Sequence, residues 1–381
     1  MTNGGTLQIR TSWTTTNQTF TPGAGTIVWN VTGANSTLPA AITTYNNLTI
    51  TATGRTASLG VATTLNGNLL ISAGTLSVSG SNFALNVKGN FTNNGAFTRG
   101  SGTVTLNGTA AQTIGGTTVT TFNNLTISNT NAAVLANTNF SVVGTLTVNA
   151  SATLTPAAGV VVSGAGTLTG SGTVQVTRII ATADFSSQYT ITTKTLTNLT
   201  VEYAGAGQVL SSLTYGSAGS GGLKVSGSIT GASNTATVGG VFTVTGTFTP
   251  TSGMITMNNS SSIVNSGGTL TFSNLTIAAS ATVSTSSSFS IAGTLTVNTS
   301  ANFSPSGGTI TMTGGSISNS GTLAFNGLTI SCTTTGSGNF SVGGTMTVNG
   351  TFTPAAADII SGGGTLTGSG TVQVTRIIAT A

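Results

Sequence analysis

The run GTLTGSGTVQVTRIIATA occurs twice in this chain, at 166–183 and again, letter for letter, at 364–381. Two identical runs want the same local structure in the same surroundings, which a repeat architecture supplies and a single globular core does not. The likeness extends upstream: Phe140-Ser-Val-Val-Gly-Thr-Leu-Thr-Val-Asn aligns with Phe340-Ser-Val-Gly-Gly-Thr-Met-Thr-Val-Asn, and the residues between align with a gap of two. The first copy runs on into Asp184-Phe-Ser-Ser-Gln-Tyr, whereas the second stops at Ala381. The duplication therefore reads as the end of a long block built from shorter units.

Those units are visible as alternation. Gly74-Thr-Leu-Ser-Val, Thr103-Val-Thr-Leu, Gly144-Thr-Leu-Thr-Val and Thr309-Ile-Thr-Met place an apolar residue at every second position. Period two is the mark of a half-buried strand. The segments are bounded by Gly, Asn or Ser-Gly, which suit tight turns. β-Branched Thr and Val dominate, and no helical pattern is present.

Two longer phrases recur. An aromatic residue opens Tyr45 to Ile50, Phe122 to Ile127, Phe272-Ser-Asn-Leu-Thr-Ile and Phe325-Asn-Gly-Leu-Thr-Ile, with a weaker version at Leu196 to Val201. Phe-Thr-Pro or a variant stands at Phe20 to Pro22, Leu154 to Pro156, Phe248 to Pro250, Phe303 to Pro305 and Phe352 to Pro354, where proline marks a turn or strand end. Their uneven spacing means that coils can be added or dropped. Sandwich domains would need longer strands and visible linkers. With 54 glycines in 381 residues and slim apolar residues throughout, the pattern predicts an all-β parallel β-helix, a single elongated solenoid over 1–381 with blocks ending near 183 and 381. The crossover rule favours a right-handed coil. At roughly 20 residues per coil this gives about 19 coils and a rod on the order of 90 Å.

Composition removes several function classes. Charged residues are 3% of the chain, against about 25% in an average protein. The net charge of +5 is thinly spread, with no two cations within ten residues, so nucleic acid is not an expected partner. A hydrophobic content of 37% argues against disorder. No apolar run is long enough for a transmembrane helix, and the segments are shorter than the strands of outer-membrane barrels. Residues 1–25 lack the pattern of a secretory signal. The single cysteine, Cys332, sits at an inward-reading position of Leu328-Thr-Ile-Ser-Cys and reads as a small core residue.

From Phe97-Thr-Arg-Gly-Ser-Gly-Thr-Val-Thr-Leu-Asn-Gly-Thr-Ala-Ala-Gln-Thr-Ile through Thr121-Phe-Asn-Asn-Leu-Thr-Ile, and again over Gly166 to Tyr203, the chain resembles the β-strand-repeat proteins of prokaryotic cell surfaces. The resemblance covers essentially the whole chain and carries no catalytic residues. It implies a β-helical, secreted or surface-attached protein associated with adhesion, surface layers or fibres.

Several residues were candidates for chemistry. Glycoside hydrolysis needs two nearby carboxylates. Asp184 and Glu202 lie about one coil apart, but Arg178 and Lys194 offer them ordinary partners, Asp358 is remote and there is no histidine. Lys194, Asn198 and Glu202 have the residue types of an intramolecular Lys–Asn crosslink, yet both charged residues read as outward-facing, so a solvated ion pair is expected. No Asp-rich turn suggests calcium, and no cofactor or metal is expected. The sequons at Asn47, Asn124, Asn198, Asn274 and Asn349 read as an asparagine turn ladder. Trp13 and Trp29 read as a stacked cap, with a sugar-binding platform as the alternative. Thr-x-Thr pairs such as Thr294-Leu-Thr and Thr247-Phe-Thr suggest an ice-binding face, interrupted here by Asn, Gly and Ser.

The sequence thus points to a non-catalytic extracellular structural protein, a fibre or sheath subunit whose partners are copies of itself. A stalk or binding region of a surface adhesin that recognises glycan or host surface is the alternative, ahead of an ice-binding solenoid or a polysaccharide-degrading β-helix. The candidate assembly edge is Thr371, Val372, Val374, Arg376, Ile377 and Ile378. In the duplicated run, Val174 and Val176 are expected inside, with a bulge or corner at Arg178 that keeps its charge in water.

Overall fold

The computed structural model describes residues 4–13, 20–78, 80–180 and 182–374. Regular structure there is almost entirely short strands in parallel ladders, with a five-residue helix at Asp184–Gln188. The strands stack as a parallel β-solenoid of about 17 turns. Two compact units are distinguished, Met1–Arg178 with Ser187–Thr195, and Ile179–Ser186 with Leu196–Ala381.

In the first unit, one ladder runs through Leu85–Val87, Thr103–Leu106, Asn124–Ile127, Thr145–Val148, Thr167–Gly170 and Thr193–Lys194. Its register sets like on like: Leu125 faces Leu146 and Leu146 faces Leu168, while Thr126, Thr147 and Thr169 align on the outer side. No coil of this kind can bury its apolar side by itself, so stacking completes each strand twice, through backbone bonds and through the shared core. The aromatic of the recurring phrase explains its position. Phe122 lies between Phe91 and Phe140, with ring centroids 5.2 and 6.0 Å away.

The second unit repeats the plan on three ladders. Phe272 sits among Phe242, Phe248 and Phe289 at 5.5, 5.8 and 5.3 Å. On one ladder the hydroxyl residues Thr271, Ser290, Thr311, Thr329, Thr347 and Thr367 stand in register over successive coils. The turn count is about 17 rather than 19: the offset between stacked residues is not constant, being 18 between Thr311 and Thr329 and 22 between Thr145 and Thr167, and it widens to 26 between Thr167 and Thr193, where the stretch around Asp184–Gln188 departs from the repeat.

Asparagines hold the corners. Asn47 Oδ1 accepts the Asn68 amide, Asn68 Oδ1 the Asn90 amide and Asn90 Oδ1 the Thr113 amide, at 2.8, 2.8 and 2.9 Å. Pro156 and Pro354 close the strands Thr153–Pro156 and Thr351–Pro354, where the missing N–H is tolerated. Gly170 has φ +133°, and a side chain there would run into the Val148 carbonyl of the coil beneath; Gly368 repeats this against Val348.

Three expectations are corrected. Cys332 is exposed, not a core residue, because the strand Gly327–Ile330 ends before it and the alternation does not reach it. Val174 and Val176 are buried as expected, but Arg178 is only partly exposed and its Nε and Nη1 are shielded from solvent. Instead Ile179 and Ile180 face outward, as the chain leaves the strand Thr173–Val176 for the helix. Trp13 meets Phe20 edge-on at 5.2 Å, whereas Trp29 is buried within Thr26–Trp29 and donates from Nε1 to Ser36 Oγ at 2.8 Å.

Candidate functional site

One acidic residue, Asp184, lies in the stretch that interrupts the repeat. Asp184 is fully buried at the first position of Asp184–Gln188. Its Oδ1 accepts the Ile180 amide at 2.8 Å and its Oδ2 the Val209 amide at 2.7 Å. The carboxylate therefore ties a turn to a neighbouring segment, and both its oxygens are engaged.

Glu202 corrects the sequence expectation of a solvated pair with Lys194. It is buried, at 6% exposure, in Thr200–Tyr203. The parallel register sets Lys224 directly opposite it, and Lys224 Nζ lies 3.0 Å from Glu202 Oε1. Lys194 aligns instead with Leu168, on the core side of its ladder, and donates from Nζ to the Ile191 carbonyl at 2.8 Å. Burial lowers its pKa. Asn198 is exposed. Asp358 is also engaged by backbone, accepting the Gly338 and Ala355 amides at 2.9 and 3.0 Å.

A cluster that the sequence did not flag lies nearby in the second unit. The Ser211 amide donates to the Tyr203 hydroxyl at 2.9 Å, and the Tyr215 hydroxyl donates to the Ser211 carbonyl at 2.7 Å. The Tyr203–Tyr215 contact of 2.9 Å must then have Tyr203 as donor, which closes a ring of three bonds. Burial raises the pKa of both phenols, in Tyr203 against the opposing pull of the Ser211 and Tyr215 bonds. The only sequence signal is that Thr200-Val-Glu-Tyr carries Glu202 where the alternation elsewhere has Thr. Among the described residues no group of three or more His, Cys, Asp or Glu side chains is placed to hold a metal ion.

The candidate assembly edge lies elsewhere. Thr371 and Val372 form a strand paired with Thr351 and Phe352. Val372 is 38% and Val374 83% exposed, while Arg376, Ile377 and Ile378 lie outside the described residues. The same coil contributes Ile360–Ser361 and Thr365–Thr367 to the other two ladders, and among the described residues all three strands pair on one side only. Leu366 stands 62% exposed above an open apolar depression of about 290 Å³ that includes Val342, Met346, Phe352 and Ile360. Unlike Asp184, Glu202 and Asp358, whose carboxylates are engaged, this surface keeps unpaired strand edges among the described residues. No family model, no curated protein and no solved structure matches the chain.

Proposed function

We propose that the chain is a non-catalytic structural protein of the cell exterior, which associates with copies of itself by stacking coil on coil. The observation that carries this reading is the coil of Ile360–Ser361, Thr365–Thr367 and Thr371–Val372, which among the described residues combines three strands paired on one side only with exposed Leu366 and Val372. An unpaired strand edge beside apolar side chains is a template for another chain, and stacking of unlike ends gives a contact that does not close. In the head-to-tail arrangement this coil meets the N-terminal coil of a neighbour.

The engagement of Asp184 by two amides and of Glu202 by Lys224 supports a structural role for these acids rather than catalysis. The resemblance to prokaryotic cell-surface repeat proteins and the Thr-, Ser- and Asn-rich outer side support an exterior location. Sedimentation velocity tests the association. The sedimentation coefficient of the native chain should rise with concentration, and Leu366→Lys should hold it at the monomer value. A native chain that stays monomeric at every concentration contradicts the reading.

A further inference from the structure

The duplicated block supplies its own evidence about what fits the coil of residues 355–374, which is uncovered among the described residues. Residues 153–176 and 351–374 correspond one to one, and the local structures agree. Thr155 Oγ1 donates to Gln175 Oε1 at 2.8 Å, and Thr353 Oγ1 to Gln373 Oε1 at 2.7 Å. The Val160 amide meets the Ala157 carbonyl at 2.8 Å, as the Asp358 amide meets Ala355 at 3.0 Å. Burial is where the two copies part. Leu168, Val162 and Val174 are each fully buried, whereas Leu366 and Val372 are exposed and Ile360 is half-buried.

In the first copy, the segment after the helix lies over this coil. The amides of Thr190 and Ile191 donate to the Val162 carbonyl, Thr192 to Gly164, Thr193 to Gly166 and Thr195 to Leu168, at 2.8–3.2 Å. Tyr189 is buried, bridges to Val162 and donates from its hydroxyl to the Gln175 carbonyl at 2.8 Å. Gln188 Nε2 reaches the carbonyls of Ala157 and Val160 at 3.0 and 3.4 Å. Each of these acceptors has a counterpart in the second copy: the carbonyls of Ile360, Gly362, Gly364, Leu366, Gln373, Ala355 and Asp358.

We infer that the coil of residues 355–374 is an acceptor site for one extended polypeptide segment of the pattern Gln-Tyr-x-Ile-x-x-Lys, the pattern of residues 188–194, bound by strand addition. Main-chain bonds along Ile360 to Leu366 supply the affinity. The tyrosine, laid over Ile360 with its hydroxyl on the Gln373 carbonyl, and the glutamine, on the Ala355 turn, supply the selectivity. The inference rests on the reading above only in using the same bare coil, and it names a better-fitting occupant than a generic coil edge.

The test uses the whole chain and a fluorescein-labelled peptide of residues 184–195, DFSSQYTITTKT, followed by anisotropy. Saturable binding of one peptide per chain is expected. Replacing the peptide's tyrosine by alanine, or using the Leu366→Lys protein, should each weaken it by about tenfold or more. Leu366 is exposed, so its replacement leaves the folded chain intact, which circular dichroism checks. No saturation at millimolar protein, equal binding of a scrambled peptide, or undiminished binding to Leu366→Lys overturns the inference. Sedimentation of the same samples keeps the two ideas apart, provided that binding is read at concentrations where the chain sediments as a monomer and its coil is free: a chain that binds peptide there but never associates at higher concentration loses the self-assembly reading alone, and one that associates at higher concentration but ignores the peptide as a monomer loses this inference alone.

Discussion

Asp184 shows what one residue does in a fold with so few charges. Its two oxygens satisfy the amides of Ile180 and Val209, which have no ladder partners to fall back on. Asp184→Ala would leave both amides unpaired beside a cavity, and the chain should lose about 2–3 kcal/mol in urea unfolding followed by circular dichroism. An unchanged midpoint would show that the carboxylate is not holding this turn. The buried tyrosines make a second prediction at this scale. Burial raises the folded-state pKa of Tyr189, Tyr203 and Tyr215 above the ordinary 10.0. Their contribution is therefore complete below that pH and is lost as pH rises beyond it, because the unfolded chain ionises first. The thermal midpoint should be level from neutrality to about pH 9 and fall above about pH 10. A midpoint flat through that range contradicts the burial of these hydroxyls.

At the scale of the coil, stability comes from like residues meeting in register, and the two sides of a strand should respond very differently to truncation. Phe272, surrounded by Phe242, Phe248 and Phe289, should lose about 3–5 kcal/mol as Phe272→Ala. Thr329→Ala, on the outer side of Gly327–Ile330, should stay within about 0.5 kcal/mol. Comparable losses at both sites would mean that the alternation does not set the inside. This alternation is why the strands could be read from the residues: in Leu-Thr-Ile or Thr-Val-Gln-Val one side must be buried, and parallel stacking follows when the phrase recurs. What escaped were the places where the period lapses. Cys332 was assigned by extending the alternation two residues past Ile330, where the strand has already ended. The pairing of Glu202 with Lys224 depends on which coil lies next, a tertiary fact that sequence proximity to Lys194 misrepresented. The helix Asp184–Gln188 is too short to carry a helical period, and its anchor is a side chain that reads equally well as a surface charge.

At the scale of the whole molecule, the scarcity of charge is the governing property. With eleven ionisable Asp, Glu, Lys and Arg residues in 381 and in-register hydroxyl columns such as Thr271 to Thr367, little long-range repulsion opposes association. Contacts made by strand edges and by Leu366 should also be insensitive to ionic strength, since there is little for salt to screen. On the proposed reading, the coil at 355–374 is the place where one copy continues into another. Negative-stain microscopy of the purified chain, native and Leu366→Lys, at low and high salt, tests this most directly. Filaments from the native chain at both salt concentrations and dispersed particles from the variant are the predicted result; dispersed native particles at high concentration, or filaments from both proteins alike, would contradict it.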